Sequence, residues 1–235
     1  GTKSLVTSST DTESTHGGRS MTFYPGGVRW NSDSNVCNAN GENYAMWCWK
    51  GGGAAVSNTD GTITSSVSAN TEAGFSIVSY TGNQTSGATV GHGLNSKPKW
   101  FIIKERGNTN DWVVYHESLG STGGGDTYVL FLNLTNDKGG GFAGGYNNTA
   151  PTSSVFSLGN SVETNRSGGS FIAYCWAEVP GFSKFGSFTG NGSSSGTYVD
   201  LGFRPAFLIL RRTDDSKSWI LFDSKRSPSN LVNKS

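Results

Sequence analysis

Charge is scarce in this chain of 235 residues: Asp, Glu, Lys and Arg together make up 15% of it and leave a net charge of +1. The cations are scattered, so nothing offers an electrostatic grip on nucleic acid, and no nucleic-acid partner is expected. Long apolar runs are missing as well. None approaches the roughly 18 residues of a membrane-crossing helix, and the chain does not open on a basic stretch followed by an apolar core. Neither membrane insertion nor a signal peptide within the segment is expected. Cysteine is sparse and odd in number, at 3, which argues against a disulfide framework. No long stretch carries a sustained 3.6-residue period with capping signals, so helix is limited to a turn or two.

What the chain has is glycine, 34 of them, with many Ser, Thr and Asn residues between short apolar clusters. Runs at 75–80, 100–104, 112–116, 128–133, 155–158, 171–176, 207–210 and 219–222 are rich in β-branched or aromatic residues and closed by turn formers, which is the strand signature. The turns at 81–83, 108–111, 147–148, 165–169 and 214–216 supply residues that tolerate positive φ or bond their own backbone. The fold class is therefore all-β: tandem β-sandwich repeat units, jelly-roll or lectin-like, with short turns and little or no helix.

The chain also repeats itself. Residues 74–83 read GFSIVSYTGN and residues 184–192 read KFGSFTGNG, each followed by a Pro-led and then a Trp-led strand. The offset is 108 from Ser79 to Ser187, and 107 both from Pro98 to Pro205 and from Trp112 to Trp219. A period of this length is domain-sized. YAMWCW at 44–49 echoes FIAYCW at 171–176, at an offset of 127. Four segments follow from this reading. Residues 1–50 are the back half of a unit, 51–73 a Gly/Ser/Thr-rich connector, 74–182 a complete β-sandwich unit, and 183–235 the front half of a further unit that pairs with 1–50 of the same chain or a neighbour, since unpaired strand edges invite association.

Candidate chemistry is thin. His92 and His116 have Leu201 and Asp223 as repeat partners, so the fold keeps those positions without the imidazole, and a surface or cross-strand role is expected. Asp111 and Glu117 bracket one strand and sit too far apart to share a glycosidic bond. Asp33-Ser34-Asn35 and Asn136-Asp137 offer hard oxygens without a calcium-loop or His/Cys spacing. No catalytic residue, metal or cofactor is assigned. Cys48 and Cys175 occupy equivalent strand positions and are expected as small core thiols, with Cys37 left in a loop. Trp112 and Trp219, like Trp49 and Trp176, are repeat equivalents and are read as packing residues. Trp30 and Tyr146 sit in Asn/Gly-rich stretches and are read as exposed contacts, with Asn108, Asp111 and Asn147 beside them in the turns. The contact loops are expected at 108–111, 120–126 and 138–148.

Taken together, ANTEAGFSIVSYTGN, ATVGHGL, PKWFIIK, WVVYHESLG, NTAPTSSVFSLG, YCWAEVPGFSKFGSFTGNGS, GFRPAF and FDSKR, in this order, resemble a family of repeat-bearing proteins of marine bacteriophages described as tail-fibre or other virion-associated structural proteins. The resemblance runs from about residue 41 onward and brings no catalytic residues. It implies a β-rich module displayed on an extracellular virion, packed against itself or neighbouring virion subunits and contributing to attachment to a host-surface glycan. A non-viral extracellular repeat filament or adhesin is the alternative, and a polysaccharide-degrading enzyme is a third reading.

Overall fold

The computed structural model describes residues 3–15, 20–31, 36–120, 128–138 and 142–225. Fifteen strands dominate: β1 Lys3–Ser4, β2 Ser14–Thr15, β3 Met21–Tyr24, β4 Gly27–Trp30, β5 Val56–Asn58, β6 Ser65–Asn70, β7 Phe75–Thr81, β8 Ala88–Gly91, β9 Pro98–Glu105, β10 Val113–His116, β11 Leu130–Phe131, β12 Val155–Leu158, β13 Ser170–Ala177, β14 Phe207–Leu210 and β15 Ile220–Asp223. Among the described residues helix is limited to two single turns, α1 Ala143–Tyr146 and α2 Val162–Asn165, and a 3-10 turn at Glu117–Leu119. The chain is all-β, with every strand pairing antiparallel.

Seven strands form the principal sheet, in the order β11-β10-β9-β13-β7-β6-β5. Its two faces follow from alternation along each strand. On the first face Val67, Val78, Ala173, Ile103 and Val113 lie in one row, and Phe101, Tyr80, Phe171 and Cys175 flank it. The small sheet of β8 and β12 covers this face with Val90, Phe156 and Leu158, and Leu94 and Tyr146 complete the core. Aromatic rings interlock there: Phe101 stacks on Tyr115 at 4.6 Å and on Phe156 at 5.1 Å. Each fully buried ring or branched chain of this kind contributes about 1.5–3 kcal/mol.

The second face is covered over only part of its width. Phe75, Ile102, Val114 and Trp176 form its apolar half, overlaid by Leu5 from the N-terminal segment and by Phe185 and Trp219 from the C-terminal one. Trp100 and Trp176 stack at 4.1 Å in its middle. The Trp112 indole donates to the carbonyls of Val6 and Ser9 at 3.0 and 3.1 Å, and its repeat equivalent Trp219 donates to Phe131 O at 2.9 Å. Both therefore pin a flanking segment onto the sheet.

Several expectations are corrected. Residues 51–73 are not a connector, because β5 and β6 lie inside them and extend the principal sheet by two strands. They escape notice because their outward positions are Ser and Asn, which reads as loop composition. Only the same-chain form of the expected pairing of 183–235 with 1–50 is corrected: among the described residues β1 with β2, β3 with β4 and β14 with β15 form separate two-stranded sheets. The flanks meet through rings instead, with Trp47 and Trp49 at 5.8 and 6.0 Å from Phe207. Cys48 is exposed, whereas Cys175 is buried as expected. Burial pushes the Cys175 thiol up to about 12, although Ser76 bonds it in the opposite sense.

Candidate functional site

The uncovered half of the second face is a shallow groove walled by hydroxyl groups. Ser57, Ser66 and Ser79 stand opposite one another across β5, β6 and β7, and Ile172 of β13 continues the row. Thr64, Thr81, Ser170 and Arg106 close it at one end. This row exists because β6 and β7 alternate strictly. Val67 and Val78 go inward to the core, so the intervening serines face outward.

Arg106 is the charged element of the groove and is held in place from the N-terminal segment. Its Nε and Nη2 donate to the two Glu13 oxygens at 2.8 and 3.0 Å, and the backbone is tied by Glu13 N to Arg106 O at 2.8 Å. Lys3 adds a second cation at 3.0 Å. The Arg106 contact holds the Glu13 carboxyl below the usual range against an opposing desolvation effect, with Lys3 assisting. A carboxylate fixed in its ionised form by a guanidinium is a positioning group rather than a proton donor. The groove thus offers hydroxyls and a guanidinium, which suits an uncharged polyhydroxyl ligand.

Arg106 also begins the loop that joins β9 to β10, where two of the sequence-derived contacts fall. Lys104 is fully buried, and its ammonium donates to the carbonyls of Thr10, Asn108 and Asn110 at 3.1, 3.1 and 2.9 Å. Burial draws its pKa below the ordinary lysine value, offset by nearby Glu105, Asp111 and Asp11. Glu105, also buried, receives Asn110 Nδ2 and the Arg166 guanidinium, whose Nε lies at 2.8 Å. The Asn108 amide sits in the same cluster: with its oxygen and nitrogen exchanged, the orientation its neighbours favour, the oxygen accepts from Arg166 at 2.9 and 2.7 Å. Asp111 accepts from Asn133 at 2.7 Å.

Asn147 lies on a neighbouring turn at the same end of the sheet. It adopts a left-handed φ of 52° and accepts from Ser86 at 2.8 Å. Asn165 links this set of loops by accepting from Asn83 N and donating to Thr85 O and Gly159 O. The structure therefore places Asn108 and Asp111 on the loop that follows Arg106, and Asn147 on a separate turn beside Ser86. It does not bring Trp30 or Tyr146 to them. Trp30 is half-buried in β4 of a separate hairpin, opposite Met21. Tyr146 is 1% exposed and packs edge-on to Phe101 and Tyr115 at 5.2 and 5.7 Å. The expectation of an exposed Tyr146 fails because α1 turns the ring inward from an otherwise Gly-rich stretch. Residues 121–126 and 139–141 of the expected contact loops, and Asp33-Ser34-Asn35, lie outside the described residues.

His92 and His116 do local structural work. His92 is buried, accepting from Leu94 N at 3.2 Å through Nδ1 and facing Thr152 O through Nε2. Burial lowers its pKa. His116 accepts from Ser118 N at 3.1 Å, and Asp223, its repeat equivalent, accepts from Lys225 N at 2.9 Å. The repeat preserves a turn made by a side-chain acceptor, not an imidazole. Asp111 and Glu117 flank β10, and Glu117 is paired with Lys97 at 2.8 Å and with Lys99. Among the described residues no group of three or more His, Cys, Asp or Glu side chains is placed to hold a metal ion.

Sequence reasoning missed the groove residues Ser57, Ser66, Ser79 and Arg106. The signal was the alternation in SSVSAN and FSIVSYT, where polar positions recur every second residue beside valines. A family model described as a domain of unknown function, DUF7483, matches residues 1–235. No curated protein and no solved structure matches the chain.

Proposed function

We propose that this chain, which belongs to the DUF7483 family, is a structural module of a bacteriophage tail fibre or comparable virion appendage, and that it contributes to attachment by holding a host-surface glycan. The observation that carries the glycan reading is the groove, where a row of outward serines ends at a guanidinium fixed by Glu13. Hydroxyls and a planar guanidinium match the donors and acceptors of a saccharide, and the sheet beneath holds them rigidly. The virion placement rests on the resemblance of the ordered motifs to those of phage repeat proteins. In the same reading, neighbouring virion subunits are the macromolecular partners and the setting is extracellular.

Binding is favoured over hydrolysis at this groove because its carboxylate, Glu13, is held ionised by Arg106. Hydrolysis needs a second carboxyl group able to donate a proton. The test is a glycan array probed with the purified chain and with Ser79→Trp, which fills the middle of the row. We expect the unaltered chain to select a subset of glycans and the variant to lose them while its thermal unfolding stays unchanged. No selection by the unaltered chain would overturn the glycan reading. Antibodies against residues 74–178 place the module by electron microscopy, and label on virion appendages is expected. Label on cell-borne filaments without virions would favour the extracellular adhesin instead.

A further inference from the structure

Lys104 and Arg211 occupy the same place in the repeat, 107 residues apart, as do Trp112 and Trp219. Each cation and indole flank one hairpin turn. Lys104 lies in β9 with Trp112 just before β10, and Arg211 follows β14 with Trp219 just before β15. Both pairs grip another segment through its main-chain carbonyls. The Trp112 indole takes Val6 O and Ser9 O, and Lys104 takes Thr10 O at 3.1 Å. The Trp219 indole takes Phe131 O, and Arg211 takes Leu134 O at 2.8 Å and Asn136 O. Burial draws both cations below their ordinary pKa. Among the described residues no salt bridge engages either of them.

The two held segments are equivalent as well. Asn136 follows Thr10 by 126 positions, as Phe131 follows Leu5, so the cation takes the carbonyl of the same repeat position in both. The indole contact moves by one residue, from Val6 to the equivalent of Leu5. The segments themselves, LVTSST at 5–10 and FLNLTN at 131–136, have no residue in common at any matched position. They share an apolar start, with Leu5 and Leu132 both packed against the core of the second face. Equivalent donors therefore hold two different sequences by their backbone.

We propose that the cation–indole pair is a binding site for an extended strap of a repeat unit, that it reads the carbonyls of the strap rather than its side chains, and that it joins each unit to the one before it. In the repeat reading, residues 5–10 belong to the back half of one unit and are held by the hairpin of the complete unit. Residues 131–136 belong to the complete unit and are held by the hairpin of the next. The joint thus has a direction, from the strap of one unit to the hairpin of its successor. A carbonyl facing a desolvated cation makes a charge-assisted bond, and main-chain bonds supply affinity without demanding a sequence. Straps of different units are accordingly interchangeable partners for one site. The site does not depend on the glycan reading of the groove.

The test breaks the covalent link and keeps every residue. A specific protease site is inserted between Gly18 and Arg19 of the full chain and cut after folding. The N-terminal fragment should stay with the body through gel filtration. In mild urea the cut protein should take up a fluorescent peptide of residues 1–15, and an unlabelled peptide of residues 128–138 should displace that label with an affinity within about tenfold of the 1–15 peptide. Trp112→Phe removes the indole donor and keeps a ring; it should weaken both peptides alike, by about tenfold for two lost hydrogen bonds. Trp219→Phe, in the other joint, should leave both unchanged. Loss of the fragment on cutting, no uptake of label, or no displacement by 128–138 would overturn the proposal, and these readings need no variant. Weakening of only one peptide by Trp112→Phe would also overturn it, since the site would then be reading side chains.

Discussion

Lys104 and Glu105, neighbours in β9, point to opposite faces of the principal sheet and hold the same loop from both sides. Lys104 takes the carbonyls of Asn108 and Asn110, and Glu105 takes the side chain of Asn110. Two adjacent buried charges thereby fix residues 106–111 without a helix or disulfide. Each extends the hold further. Lys104 reaches Thr10 in the N-terminal segment, and Glu105 reaches Arg166 beyond α2.

Replacing Lys104 with Met should therefore be severe. Three carbonyls would lose their donor, and an unsatisfied buried polar group costs about 1–3 kcal/mol. Urea unfolding should show a loss of about 3 kcal/mol or more. Lys3→Met is the control, since that side chain is 64% exposed and its ion pair is screened; a change within about 0.5 kcal/mol is expected there. Equal effects would mean that Lys104 does not hold the loop.

Acid should act through Glu13. Its folded-state pKa lies below the ordinary 4.5, chiefly through Arg106. The unfolded chain binds this proton first, so the stabilisation is full above the unfolded value and fades as pH falls through the folded one. Unfolding free energy measured between neutral pH and pH about 3 should decline below 4.5. In Glu13→Gln the decline should be shallower, and an identical slope would remove Glu13 from the account.

The strands of the core were legible because Val, Ile and aromatics alternate or cluster in them, as in PKWFIIK and FIAYCW. β5 and β6 were not, because SSVSAN buries only small or single apolar chains and shows serine outward. The loop network was equally hidden. A Lys-Glu pair at the end of a strand reads as a solvated turn, and only the fold brings Arg166 and Thr10 to it. Tyr146 misled for the converse reason: a lone aromatic among glycines has no periodic neighbours to mark it as core.

Tyr146 now calls for a different experiment from the one its sequence context suggests. Tyr146→Ala should lower stability by about 3–5 kcal/mol, as for other buried rings, with any loss of ligand binding following from that. The Tyr146 hydroxyl is buried and has no hydrogen-bond partner among the described residues, so Tyr146→Phe should be neutral or slightly stabilising, within about 1 kcal/mol. A large loss from the Phe variant would show that the hydroxyl is satisfied in solution and contributes to the core.

The two copies of Thr-Gly-Asn separate the finished unit from the unfinished one. In both, the Asn side chain accepts from the backbone two residues on, Asn83 from Thr85 N at 2.9 Å and Asn191 from Ser193 N at 3.0 Å. The glycines differ in their surroundings. A Cβ on Gly82 would lie 2.4 Å from Arg166 O, and that backbone is itself fixed by Gly82 N to Gly169 O and Gly168 N to Gly82 O, both at 2.9 Å. A Cβ on Gly190 would meet nothing within 4 Å. Gly82→Ala should thus destabilise by about 1–3 kcal/mol, the usual range for overpacking against a body that cannot yield. Gly190→Ala should stay within about 0.5 kcal/mol. Thermal unfolding decides between them, and equal losses would mean that the second Thr-Gly-Asn turn is packed as tightly as the first.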